Sequence, residues 1–308
     1  MPRQTVTELL GIDYPIVQAG MASGYTDAKL VAAVSGAGGL GVLGCLNRSR
    51  ADTISELAQI RARTDRPFGV NFVVEHLDPD VLEACLEARV PIVTFFRGHP
   101  EGVVRQAHAA GALVIYQVTT PPEADAALRA GADVLVAQGC EAGGHAGPLP
   151  LQEILPAVVA RAGGVPVLAA GGIVDRPSHQ TVMALGAVGA WIGTRFVATV
   201  ESPASPAHKK AILQSRPGDT TRTRIWDLIW GRAWPGVEVR AIRNSVTERW
   251  LGREDEIPEH RDEINAALEA AERREDANEM ALLAGDGAGS IKALASAAAL
   301  VREIALDA

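Results

Sequence analysis

Residues Val134–Pro150 read VLVAQGCEAGGHAGPLP, and the change of character inside this stretch decides what kind of sheet the chain builds. Four apolar residues, Val134–Ala137, end at Gln138 and give way to glycines around a single histidine, His145. That pattern is a buried strand breaking into a loop whose backbone comes close to something else. Outward from it the pattern repeats. Short apolar runs stand at PIVQAG (15–20), LGVLG (40–44), FGVNFVV (68–74), PIVTFF (91–96), LVIYQV (113–118), VPVLAAGG (165–172) and GAWIGTRF (189–196). Small-residue turns precede them: SGAGG, EARV, AAGA, RAGAD, RAGG and ALGAVG. Glycine at a helix end followed at once by an apolar strand is the usual helix-to-strand punctuation.

The segments between, such as PDVLEACLEA and PPEADAALRA, are helical by pattern, with acidic residues in the first turn. Eight near-continuous apolar strands alternating with helices require a parallel sheet covered on both faces. Eight such units closing on themselves make an α/β fold of the (β/α)8 TIM-barrel type. An open doubly wound sheet is the competing arrangement, but no G-x-G-x-x-G opens a helix after the first strand.

After Phe196 the alternation stops. ESPASPAHKK is a polar, proline-rich loop, and it leads into RIWDLIWGRAWPG and the charged EDEIPEHRDEINAALEAAERRED. Trp226, Trp230 and Trp234 fall four apart and share a face if the segment is helical. They either pack a small helical subdomain on the barrel or cover its mouth, and the two are compatible. AGDGAGSIKALASAAALVREIAL then reads as a glycine-rich turn and the eighth barrel helix. The barrel is therefore expected over residues 1–200 and 285–308, with a helical insertion over 201–284 after strand eight.

A length of 308 residues suits a single α/β barrel, and 47% hydrophobic content supplies a large core. A net charge of -8 argues against nucleic acid or an anionic membrane as a partner, since both select clustered Lys and Arg. It leaves room for a small anionic ligand. Cys45, Cys85 and Cys140 are odd in number and form no CxxC pair, so neither a disulfide framework nor a zinc site is expected. The first residues hold no apolar signal core, and no run of about 18 apolar residues occurs. A soluble, cytoplasmic protein is the expectation, and a homodimer is compatible with it.

Active sites of such barrels lie at the C-terminal ends of the strands. The residues expected there are Gln18, Ala19, Gly20 and Met21; Asn71; Gln117; Gln138 with Gly143 and Gly144; Gly171 and Gly172; and Gly193 with Thr194. They are mostly amides and glycines, with no acidic pair and no metal-ligand cluster. The glycines after strands seven and eight match the place where such barrels hold a phosphate. Phosphate at one end and neutral amides around the rim fit flavin mononucleotide (FMN). Pyridoxal phosphate is disfavoured, because no lysine stands at a strand end to form its Schiff base. His145 is the one strand-end side chain able to exchange protons near neutral pH and is the candidate catalytic residue. His76, His99 and His108 lack that setting. Glu141 orients the loop or meets a cation, Cys140 packs, and Arg195 either neutralises phosphate or pairs at the surface.

The motifs PIVQAGMA, RPFGVNF, AQGCEAGGHAG, PVLAAGGI and GTRFVAT, followed by RTRIWDLIWGRAWPG, RNSVTERW and AGDGAGSI, resemble the nitronate monooxygenase family along nearly the whole chain. The resemblance implies an FMN-dependent TIM barrel with flavin contacts at Asn71, Gln138, Gly143, Gly172 and Trp191-Ile192-Gly193-Thr194, and a catalytic role for His145. It implies oxidation of nitronates or nitroalkanes with O2 to a carbonyl compound and nitrite. Two related activities on the same scaffold are NAD(P)H-dependent quinone reduction and enoyl-acyl-carrier-protein reduction. The family often carries Gln where Trp191 and Asp286 stand here, and the segment after His145 runs directly into PLPLQ.

Overall fold

A computed structural model describes residues 4–22 and 24–305. Eight parallel strands close into a barrel: β1 (Ile16–Gln18), β2 (Leu40–Gly44), β3 (Phe68–Val73), β4 (Ile92–Phe96), β5 (Leu113–Val118), β6 (Val134–Gln138), β8 (Val167–Ala170) and β9 (Ala190–Ile192). β9 pairs back onto β1 through Val17↔Trp191 and closes the circle. β7 (Gly144–Ala146) stands outside the barrel. The expected eighth strand stops at Ile192, because Thr194–Val197 turns into the short helix α9.

Before that, α1 (Val6–Leu10) precedes the barrel, and α2 (Ala28–Gly36), α3 (Arg50–Arg61), α4 (Pro79–Glu87), α5 (Pro100–Ala109), α6 (Pro121–Ala130), α7 (Leu151–Arg161) and α8 (Arg176–Ala184) form the outer ring. Local chemistry sets their ends. Thr120 caps α6 by accepting from the Glu123 amide, Pro121 starts the helix, and Gly131 ends it at φ 92. Two cores result from the strand alternation. Val17, Val42, Ile115, Val136 and Leu168 fill the barrel interior, joined by Val6 and Leu10 of α1. Val70, Phe72, Leu135 and Ala137 face the helices instead.

Residues 206–274 hold α10 (Pro206–Gln214), α11 (Ile225–Trp230), α12 (Ser245–Trp250) and α13 (Ile257–Arg274), but also two strands, β10 (Thr220–Thr223) and β11 (Glu238–Ile242). The insertion, expected as helical, thus carries a small sheet beside its helices. β10, β11 and β7 form a three-stranded antiparallel sheet, so the inserted segment is stitched to the loop after β6. α14 (Ala297–Ala305) packs against α2 and α8 and takes the place of the eighth barrel helix. It buries Ala297, Leu300, Val301 and Ile304, the i, i+3, i+4, i+7 stripe of an amphipathic helix. Each large member contributes about 1.5–3 kcal/mol. No helix among the described residues is long and apolar enough to cross a membrane.

Candidate active site

A cavity of about 190 Å³ opens at the C-terminal ends of the strands. Its polar walls follow from strand parity. Asn71, Gln117 and Gln138 have the same parity as interior residues of their strands, Ile115 and Val136 among them, and each therefore points into the mouth. Ala19, Gly20, Met21, Gly143, Gly144, Gly171, Gly172, Trp191, Ile192, Gly193 and Thr194 line the same space, together with His145. Gln18 does not line it. It lies one residue from the inward-facing Val17, and its amide is spent on the backbone: Val42 N–H donates to Oε1 at 3.2 Å, and Nε2 donates to the Val42 carbonyl at 3.1 Å and to that of Ala19.

Within this wall the amides differ in what they leave unmet. Asn71 Nδ2 donates to Thr94 Oγ1 at 2.8 Å. Gln138 Nε2 donates to the His145 carbonyl at 3.2 Å, while its buried Oε1 has no partner among the described residues. A buried acceptor without a donor favours a ligand that presents one. Gly171 and Gly172 have φ of 121° and 70°, a region side chains avoid, and both line the cavity. Gly143 answers a different need. A Cβ there would lie 2.6 Å from the Gly285 nitrogen, so only glycine lets the loop after β6 pass the 284–287 turn.

Four further residues of that region have structural duties. Both carboxylate oxygens of Glu141 accept from the Leu151 amide, the nearer at 2.9 Å, which fixes the loop to the start of α7. Arg195 donates to the Ala198 and Ala293 carbonyls and lies away from the cavity. Asp286 also points away, to Thr220 at 3.1 Å and Arg240 at 3.7 Å. Cys140 is a free thiol whose carbonyl accepts from Arg240 at 2.8 Å.

His145 sits on β7 opposite Val239 of β11. Its Nε2 lies 2.8 Å from Asp227 Oδ1 on α11, with side chains 15% and 7% exposed. Its ring stacks on Trp234, with centroids 3.8 Å apart and planes at 21°. Trp234 is not on the helix of the other two tryptophans. Gly231 ends α11 at φ 66, and Trp234 inserts from the following loop among Val73, Phe96 and Val237. Arg97 holds that loop by donating to the Pro235 carbonyl at 2.8 Å, and Arg232 by donating to Asn47 at 3.1 Å. Tyr25 completes the cavity wall; burial pushes its phenol up, with the Glu272 carboxylate adding to the effect. Asp227 was legible in principle, since IWDLIW sets one carboxylate among five apolar neighbours and a buried charge demands a partner. Nothing local pointed to His145 as that partner, 82 residues away.

A closed barrel with a glycine- and amide-lined mouth and an imidazole held at its wall is the architecture of the (β/α)8-barrel oxidoreductases to which this chain is similar. The sequence profile of nitronate monooxygenase matches residues 3–82 and 75–307, and the chain belongs to that family. It is 34% identical to a 5-hydroxy-7a-methyl-1-oxo-octahydro-1H-indene-4-carboxyl-CoA dehydrogenase of Mycobacterium tuberculosis, over 80% of this chain and 68% of the relative. Among solved structures, FabK from Thermotoga maritima superimposes with a TM-score of 0.87 at 34% identity, covering 99% of this chain and 95% of the other. Nitroalkane oxidase from Streptomyces ansochromogenes gives 0.83 at 32%, covering 96% and 95%.

Proposed function

We propose that the protein is an FMN-dependent oxidase of alkyl nitronates and nitroalkanes, using O2 and releasing a carbonyl compound and nitrite. The observation that carries this reading is His145, the group among the described lining residues suited to proton exchange near neutral pH. Bound FMN would supply the two-electron acceptor that O2 regenerates. Its fit rests on the residues present. Gln138 Oε1 would accept from a ring N–H, and Asn71 and Gln117 would offer neutral amides beside it. Gly171, Gly172, Gly193 and Thr194 would enclose the phosphate. The barrel of residues 1–200 and 285–308 would hold the cofactor, and residues 201–284 would shape the substrate compartment. His145 takes the α-proton of a neutral nitroalkane, and Trp234 excludes water from one face of the imidazole.

The likeness to the M. tuberculosis dehydrogenase and to FabK favours a second reading, an NAD(P)H-dependent flavin reductase of the quinone or enoyl-acyl-carrier-protein type. Anaerobic stopped-flow absorbance of the purified yellow protein separates the two. Bleaching by a nitronate and not by NADH is the expected result; bleaching by NADH alone would move the assignment to a reductase.

A further inference from the structure

We infer that Asp227 is a positioning residue that fixes the tautomer of His145, so that Nδ1 is the atom that receives the substrate proton. The inference rests on the reading of His145 as a base. A neutral imidazole carries one N–H and one bare nitrogen, and the partner of each decides which is which. Nε2 faces the Asp227 carboxylate at 2.8 Å, and an ionised carboxylate only accepts, so the ring hydrogen belongs on Nε2. Nδ1 has no hydrogen-bond partner among the described residues, yet it is not sealed off as the orphaned atoms of Gln138 and Trp234 are. It is the nitrogen left for a substrate.

The surroundings hold the ring in that setting. Trp234 covers one face, so a flip of the imidazole about its Cβ–Cγ bond would have to displace the indole. Pairing of Val239 with His145 and of Arg240 with Gly144 fixes the backbone of β7. Gln138 donates to the His145 carbonyl from the barrel side. Asp227 is itself buried on α11 between Trp226 and Leu228, where an unpaired carboxylate would be costly, so the bond serves both partners. The step balances simply. The substrate α-carbon–hydrogen bond breaks, a hydrogen–Nδ1 bond forms, and the freed electron pair enters the carbon–nitrogen bond of the nitronate. The imidazolium so produced lies against a carboxylate of opposite charge.

The test uses the flavin-loaded protein with 15N-labelled histidine, the His145 signals being assigned by their loss in His145→Asn. A two-bond 1H–15N correlation spectrum is expected to show that the neutral form of the ring carries its hydrogen on Nε2 and is bare at Nδ1. Asp227→Asn, which removes the charge at nearly constant shape, is expected to mix the tautomers. It should lower kcat on a neutral nitroalkane by about 10²-fold or more, as wrong-tautomer variants of catalytic triads do. The loss on the preformed nitronate should stay within about tenfold, because that substrate needs no base. A wild-type ring bare at Nε2 overturns the inference even if the variant fails to fold. So does an Asp227→Asn protein with unchanged spectrum and turnover. Wild-type protein that oxidises neither substrate but keeps the Nε2–H ring overturns the proposed function and leaves Asp227 as the tautomer-setting residue.

Discussion

At the scale of single residues, the site depends on what each side chain is denied. Among the described residues, Gln138 has no donor for Oε1 and His145 no partner for Nδ1. His145→Asn should keep the yellow colour and the fold, since Asn preserves a polar group beside Asp227 and the residues proposed to hold the flavin are others. Turnover of a neutral nitroalkane should fall by about 10²-fold or more, the usual scale for a lost general base, and that of the preformed nitronate by less. Steady-state oxygen uptake on the two substrates measures this, and equal losses would remove the proton-abstraction role.

Much of this site was legible because strand alternation and glycine placement are local signals. Asn71, Gln117 and Gln138 follow from parity once the strands are known. Gln18 shows the cost of ignoring it, since Val17 faces inward and its neighbour therefore cannot. The partners of His145 were hidden for the opposite reason. Asp227 and Trp234 reach it only through tertiary folding, and sequence spacing carries no trace of contacts across 82 and 89 residues.

At the scale of elements, the loop 231–237 matters most. Spacing by four puts the three tryptophans on one face only if the segment is helical throughout, and Gly231 ends the helix and frees Trp234 to turn toward the mouth. β10 and β11 are not evident in the sequence because TTRT and EVRAI are short, and their pairing completes only with β7. Three groups hold the loop from the barrel side: Arg97, Asn47 and the apolar cluster around Trp234. Replacing Trp234 by Ala removes the largest of them, a change that costs about 3–5 kcal/mol at buried aromatic sites. The loss should appear as local opening rather than global unfolding. Tryptic cleavage after the exposed Arg232 should accelerate by at least about tenfold, with the thermal midpoint of the barrel nearly unchanged. An unaltered cleavage rate would assign the closure to the Arg97 and Asn47 contacts instead.

At the scale of the whole molecule, the seam between barrel and inserted segment carries a buried histidine. His208 on α10 packs edge-on against Tyr25 with ring centroids 5.3 Å apart, and burial pushes its pKa down to about 4. An unfolded histidine titrates near 6.5. Between those values the unfolded chain takes up a proton that the folded protein refuses. The contribution is therefore complete above about pH 6.5, is lost as pH falls toward 4, and changes no further below, about 3 kcal/mol in all. Urea unfolding of wild type and His208→Leu from pH 7 to 4.5 should show wild type losing more stability, by about 2–2.5 kcal/mol. Parallel curves would mean that the ring accepts the proton in the folded state.

The position of α14 has a consequence for how the chain is made. Roughly a hundred residues separate Ile192, the end of the last barrel strand, from Ala297, where the helix that packs on α2, α8 and β1 begins. At a synthesis rate of roughly 5–20 residues per second, the nascent barrel waits on the order of 5–20 s for this helix. During that interval the faces that α14 will cover stand open on the ribosome, and that is the window in which a chaperone would engage the chain.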